Sequence, residues 1–343
     1  MGRDRLVFAG SLTIDNIVTA DRQMMPPSPG GNVVYSALGA RLWHDNVGVV
    51  TVAGAGFPAE YLGRLEAAGI DLGGVRQLDA PHGMNVAFCY AADGTRVRRF
   101  PAEVLATIPE AERARFRDYG AYDPIQRFAI WHAFSPLGAD IPAAWLQDMV
   151  GLHCAAMPVE SHHSLLQAVR GWSGRRIWAQ VDSPWYDERD LGLDHASRLM
   201  PELDALLPSE ADLATADPRV GADWVVRRLR RAGARLIVIK RGALGSEIVW
   251  RDGRRSIVPA LAGLDVIDPT GAGDAYCGGF LAGIAVTGDV IDAAHFGTVS
   301  ASFAIEGRGV ERLLAVTPAE ARHRLAQLRG TTAHHFNPHE ASA

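Results

Sequence analysis

Asp268-Pro269-Thr270-Gly271-Ala272-Gly273-Asp274, followed by Ala275-Tyr276-Cys277-Gly278-Gly279-Phe280-Leu281-Ala282-Gly283, is a run of small residues that opens into an apolar helical pattern. Gly271, Ala272 and Gly273 carry too little side chain to hold an anion away, so their backbone N–H groups can converge on one. A helix starting at Asp274 points the positive end of its dipole at the same spot. Asp274 then stands beside an anion hole, where a carboxylate can accept the proton of an attacking alcohol. Gly278 and Gly279 let the helix pack closely on a neighbour. Ordinary helix capping explains a shorter run of this kind, but not one of this length.

Outward from this motif, apolar β-rich runs over 6–10, 47–53, 128–132, 177–181, 205–207 and 236–239 alternate with amphipathic stretches over 32–42, 59–68, 142–154, 161–171, 221–232 and 274–286. Buried strands taking turns with helices predict an α/β fold: a doubly wound, mostly parallel sheet with helices on both faces. At 85–100 the texture changes. Asn85–Tyr90 and the run Thr95-Arg96-Val97-Arg98-Arg99-Phe100 flank the turn residues Asp93-Gly94, which predicts a β-hairpin belonging to a small β-lid. The charged segment 101–126 separates this hairpin from the next predicted strand, and its role is open at this level. Residues 331–343 are polar, hold three histidines and lack periodicity, so they read as a disordered tail behind a single domain over 1–330.

The 343 residues are 48% apolar, enough for a large core, and the formal net charge of -5 provides no electrostatic footprint for nucleic acid or an anionic membrane. A small molecule is the expected partner. Cys89, Cys154 and Cys277 are odd in number, far apart and without metal spacing, which fits reduced core thiols and a cytoplasmic location. The first residues run into a strand pattern without a signal-peptide stretch, and no segment reaches transmembrane length. Lys240 is the only lysine in the chain; every other basic side chain outside histidine is arginine.

The motif at 268–274 resembles the C-terminal signature of the PfkB, or ribokinase-like, family of carbohydrate kinases. The resemblance covers nearly the whole chain: Gly10-Ser11-Leu12-Thr13-Ile14-Asp15 is similar to the family's first strand and Gly30-Gly31-Asn32 to its substrate loop. It implies ATP-dependent phosphorylation of a sugar or polyol hydroxyl, or of a nucleoside. Asp274 would be the base, Gly271–Asp274 the anion hole, and the lid would come from parts of 11–35 and 85–100. Asp15, Thr13, Gly30, Gly31 and Asn32 are then expected at the acceptor. Lys240, Gly242 and Gly245 resemble the turn beside the nucleotide phosphates, and Gly307 falls in the loop that closes over adenine. Leu207-Pro208-Ser209-Glu210-Ala211-Asp212 is similar to the family's P-N-x-x-E region, with Ser209 in place of Asn and Asp212 in place of Glu, so Mg²⁺ is expected near Asp212. The resemblance also admits a monovalent cation such as K⁺ at Asp268 and the Thr270 carbonyl, although Leu313 falls where serine is frequent. Family lids often pair edge to edge, which leaves room for a homodimer. Three departures argue against a standard ribose pocket. Tyr35 replaces a sugar-contacting Asn, Gly54-Ala55-Gly56-Phe57 lacks the usual Asp, and the acidic contact near Ala156-Met157-Pro158 is missing, with Glu160 nearby.

A different class competes. The strand over 47–53 followed by Gly54-Ala55-Gly56-Phe57-Pro58-Ala59, with Asp79 farther on, reads on paper as a dinucleotide fingerprint of an NAD-dependent oxidoreductase. Pro58 would start its helix late and crowd a pyrophosphate. A silent binding protein on the kinase fold is the third reading, and loss of Asp274 or the glycines would favour it; all are present.

Overall fold

The computed structural model describes residues 4–335 apart from 92–95, 98–99, 118–121, 185–191 and 218–219. Its strands are β1 (Arg5–Ala9), β2 (Thr13–Val18), β3 (Ser28–Gly30), β4 (Val47–Ala55), β5 (Ile70–Pro81), β6 (Asn85–Tyr90), β7 (Arg96–Val97), β8 (Met149–Cys154), β9 (Trp178–Val181), β10 (Ala205–Leu206), β11 (Leu236–Lys240), β12 (Ser246–Trp250) and β13 (Arg255–Val258). Among the described residues they form a nine-stranded sheet in the order β13-β12-β11-β10-β9-β8-β1-β4-β5 and a four-stranded sheet in the order β3-β2-β6-β7. The large sheet is parallel from β10 and β11 across to β5 and antiparallel only where β12 and β13 close its edge. Leu6, Val7, Phe8 and Ala9 are all fully buried, as a strand covered on both faces requires. The doubly wound α/β expectation holds.

Two expected elements exchange type. The run 128–132 lies in the helix Pro124–Ala133, not in a strand. Asp123 caps that helix by accepting from the N–H groups of Ile125 and Gln126 at 3.0 and 3.1 Å, and Pro124 suits its first turn. The stretch 142–154, expected as a helix, is a 3-10 turn over Ala143–Gln147 followed by β8, which fills the slot between β1 and β9. Gly151 fits there because a Cβ would lie 2.8 Å from Leu281 of the helix behind the sheet.

The small sheet alternates as a two-faced lid should. Val18, Ala87 and Cys89 pack against Val104, Ile108 and Phe116, while Ile17, Val86 and Phe88 share the other face. Segment 101–126, whose role was open, therefore supplies part of the cover for one lid face through the helix Ala102–Leu105 and the 3-10 helix Glu110–Phe116. β6 and β7 pair antiparallel as the hairpin predicted; its turn at Asp93-Gly94 lies outside the described residues, as does Arg98. The last helix, Pro318–His335, extends into the segment read as a tail, and 336–343 lie outside the described residues.

The helix Ala272–Thr287 crosses the helix Asn32–Arg41 backbone to backbone. A Cβ on Gly278 would sit 1.8 Å from the Ser36 carbonyl oxygen, and one on Gly39 2.4 Å from the Ala275 carbonyl oxygen. Gly278→Ala must push the helices apart and is expected to cost at least about 2 kcal/mol, lowering Tm by several degrees. Thermal denaturation checks this; an unchanged Tm means the crossing yields without cost.

Candidate active site

A cleft of about 1030 Å³ opens at the carboxyl ends of β1, β8, β9, β10 and β11, where an open parallel sheet places its ligands. Its wall includes the start of the helix Ala272–Thr287. Gly271 caps that helix with φ 73° and ψ 1°, a left-handed conformation that disfavours a side chain, and a Cβ there would also strike the Tyr35 ring at 2.1 Å. The loop thus lies against Tyr35 with Ala272, Gly273 and Asp274 in the first turn, facing the cleft.

Lys240, at the end of β11, approaches the same turn: its Nζ is 3.5 Å from the point where a Gly273 Cβ would be. The ammonium donates to Asp182 Oδ1 at 2.7 Å and to Cys277 Sγ at 3.5 Å. Burial disfavours its charge, but the Asp182 carboxylate more than offsets that and holds the lysine pKa above its ordinary value. A positive charge therefore borders the glycine-led turn. At the far end, Thr13 Oγ1 donates to Asp15 Oδ1 at 2.5 Å on β2, and both residues are buried on the cleft wall. One continuous space runs from Asp15 past Asp274 to Lys240.

Residues 152–315 match the model of the pfkB family carbohydrate kinases. A cytidine kinase of Thermococcus kodakarensis is 27% identical over 283 residues, 81% of this chain and 87% of that one. An inositol 3-kinase of Zea mays is 28% identical over 60% of this chain and 48% of its own. Among solved structures, the Burkholderia thailandensis nucleoside kinase in complex with inosine superposes with a TM-score of 0.65 at 20% identity, covering 95% and 97% of the two chains. The Salmonella enterica aminoimidazole riboside kinase with its riboside and an ATP analog gives 0.67 at 17%, covering 94% and 100%.

Over 152–315 the chain is similar to the pfkB family of carbohydrate kinases. It is a phosphotransferase with a hydroxyl acceptor, and its fold is ribokinase-like.

The kinase cleft gathers most of the residues singled out in sequence: Thr13, Asp15, Gly31, Asn32, Ser209, Asp212, Lys240, Gly242, Gly245 and Thr270–Asp274 all line it. Three lie behind the wall. Gly30 backs Asp15, since a Cβ would lie 2.1 Å from the Asp15 carboxyl carbon. Gly307 packs against Arg312. Asp268, 2% exposed, accepts from Thr270 N–H at 2.8 Å, from Gly309 N–H at 3.0 Å and from the Tyr90 hydroxyl, which also meets Thr270 Oγ1 at 2.7 Å. The carboxylate ties the anion loop to the 305–309 turn and to lid strand β6. Asn32 braces the wall, donating to the Ala156 carbonyl at 2.9 Å and accepting from Ser11 N–H at 2.8 Å.

Ser209 and Asp212 form a capping box at the helix Glu210–Ala216: Asp212 Oδ2 accepts from Ser209 N–H at 2.7 Å and from Ser209 Oγ at 2.6 Å. The sequence reading missed Asp182, Ser183, Thr298 and the wall at 260–264. Asp182 had a signal, because it directly follows a strand predicted to end at 181; the others had none.

The dinucleotide reading is corrected. Gly54 and Ala55 belong to β4 and pair with β5, and none of Gly54, Gly56 or Asp79 reaches the cleft. Gly54 is small because the chain at Ala80 and His82 passes 2.7 Å from where its Cβ would be.

Proposed function

We propose that the chain transfers the γ-phosphoryl group of ATP to a hydroxyl of a sugar or sugar-like small molecule. The observation that carries this reading is the continuity of the cleft: a buried carboxylate for the acceptor, a second one in the first turn of a glycine-led helix, and a buried ammonium beside that turn. Asp15 accepts from acceptor hydroxyls and orients them. As the attacking oxygen bonds to the γ-phosphorus, its proton passes to Asp274, and the bond from that phosphorus to the β,γ-bridging oxygen breaks, leaving ADP. The N–H groups of the first helical turn and Lys240 face the charge that gathers on the transferred group.

Mg²⁺ bound with the nucleotide would supply positive charge to the phosphate oxygens. Asp212 and Asp182 are the carboxylates on that wall suited to it, directly or through water. Among the described residues no cage of three acidic, histidine or cysteine side chains forms. Asp268, which accepts from three donors, and the Thr270 carbonyl are the groups that would hold a monovalent cation if the transfer uses one.

Nucleosides are the acceptor subclass favoured by a second observation. Met84, Val86 and Trp131 line the cleft beside Asp15, so an apolar surface suited to a ring adjoins the carboxylate suited to a sugar. The test is ADP formation by the purified chain with Mg·ATP and a panel containing cytidine, inosine, myo-inositol and fructose. Turnover with none of a broad set of sugars, polyols and nucleosides overturns the proposal. With an active acceptor in hand, Asp15→Ala is expected to raise the acceptor KM about 10- to 100-fold while leaving the ATP KM within about twofold, because charge-assisted hydrogen bonds are lost only at the acceptor end. Steady-state kinetics in both substrates decides it, and equal losses remove Asp15 from the acceptor site.

A further inference from the structure

The acceptor end of the cleft is rich in groups that accept hydrogen bonds and poor in groups that donate them. Asp15 and Asp274 accept only. The Thr13 hydroxyl spends its proton on Asp15, and both ends of the Asn32 amide are engaged by backbone groups. Yet each acceptor hydroxyl that gives its proton to a carboxylate keeps lone pairs, and these need a donor once water is excluded. Three buried side chains on the wall, Ser11, Tyr35 and Thr298, have that capacity unused among the described residues, and the first two lie, respectively, beside Thr13 in sequence and on the helix that carries Asn32. The Tyr35 hydroxyl and the Ser11 hydroxyl are buried, in residues 2% and 4% exposed, and neither has a hydrogen-bond partner among the described residues.

Tyr35 is the more constrained of the two. Its ring is wedged against Gly271, so the phenol cannot swing away without moving the anion loop. Burial first, then the charges of Asp15, Asp268, Tyr90 and Asp274, hold its pKa well above the ordinary tyrosine value. It stays a neutral donor throughout the working pH range. An orphaned buried hydroxyl costs folding free energy, so this one weakens the free protein and is repaid only when something binds against it.

We propose that the Tyr35 hydroxyl, together with that of Ser11 on the same cleft wall, donates to oxygen atoms of the bound acceptor, and that Tyr35 selects acceptors that place an oxygen between the groups held by Asp15 and by Asp274. This rests on the kinase reading and names the specificity-determining residue of that same site. An acceptor lacking that oxygen leaves the phenol unpaired in the closed complex and is rejected.

The experiment compares wild type, Tyr35→Phe and Ser11→Ala with cytidine, 2′-deoxycytidine and 3′-deoxycytidine, or with the panel member turned over fastest and its deoxy analogues. Tyr35→Phe is expected to raise the acceptor KM about five- to tenfold, to leave the ATP KM unchanged, and to keep or raise Tm because an unpaired buried hydroxyl is gone. Against the one deoxy analogue that lacks the contacted oxygen, the Tyr35→Phe effect should vanish. An unchanged acceptor KM, or the same loss with every deoxy analogue, overturns the proposal, as does a fall in Tm without a change in acceptor KM. Ser11→Ala gives an independent reading of the same donor set, and a neutral result there limits the assignment to Tyr35. If wild type turns over no acceptor, the kinase reading itself fails and this inference falls with it, an outcome distinct from an active wild type with an indifferent Tyr35→Phe.

Discussion

Asp274→Asn lowers phosphoryl transfer by a factor on the order of 10² to 10⁴ and leaves nucleotide affinity within about threefold. The amide has the shape of the carboxylate and sits in the same first helical turn, so the glycine-led loop and its cap at Gly271 are retained. What disappears is the site for the acceptor's proton. ATP does not depend on that site: Lys240 and the N–H groups of the turn remain, and removing a negative charge beside a phosphate favours the nucleotide slightly. The measurement is kcat with a saturating acceptor together with the nucleotide Kd of both forms. Wild-type turnover in Asp274→Asn would refute the proposed base. Parallel loss of affinity and turnover would instead assign Asp274 to the scaffold of the loop.

The second large effect is expected at Lys240. Replacing it with Met removes the positive charge beside the anion loop and strands the Asp182 carboxylate, whose side chain is only 10% exposed. Breaking one side of a buried pair typically costs about 3–5 kcal/mol, so Lys240→Met should be markedly destabilised at neutral pH and also slow in transfer. Its stability should depend on pH in a defined direction. Burial already pushes the Asp182 carboxyl upward, and in the variant Lys240 no longer opposes it. The folded state then binds a proton more tightly than the unfolded state. The protonated form is fully stabilising below the unfolded pKa, and stability is lost as pH rises through the raised folded value. Urea denaturation at acid and neutral pH tests this: the gap between Lys240→Met and wild type should narrow as pH falls. Asp182→Asn placed on top of Lys240→Met should recover stability but not transfer. Failure of the double variant to recover would mean that the stranded carboxylate is not the cause.

How much of this was legible in sequence depended on whether the deciding information was local. The motif at 268–274 carried its own chemistry, and the structure places Asp274 and the glycine turn together on the cleft wall. The parallel strands β1, β4, β9, β10 and β11 were legible because both faces are buried and the apolar run is continuous. The same rule misread 128–132, where a short apolar run belongs to a helix started by Asp123 and Pro124; a run of that length satisfies either pattern. It misread 142–154 because the strand Met149–Cys154 hides behind a 3-10 turn that supplies helix-like spacing. Long-range ties were out of reach altogether. Tyr90 and Asp268 are 178 residues apart, and nothing near either announces the other. Asp182 and Lys240 are 58 apart, and the lysine drew notice only for its rarity.

That rarity has a practical consequence. The chain's single ε-amine is also the one set beside the anion loop, so amine-acylating chemistry has one lysine to find, and it lies in the cleft. Its pairing with Asp182 shields it from reagents that arrive untethered. A nucleotide carrying an acyl phosphate would instead deliver its electrophile to the place where the proposed function puts the terminal phosphate. The mass increment on one peptide would then count occupied nucleotide sites directly, without an acceptor and before any turnover has been seen.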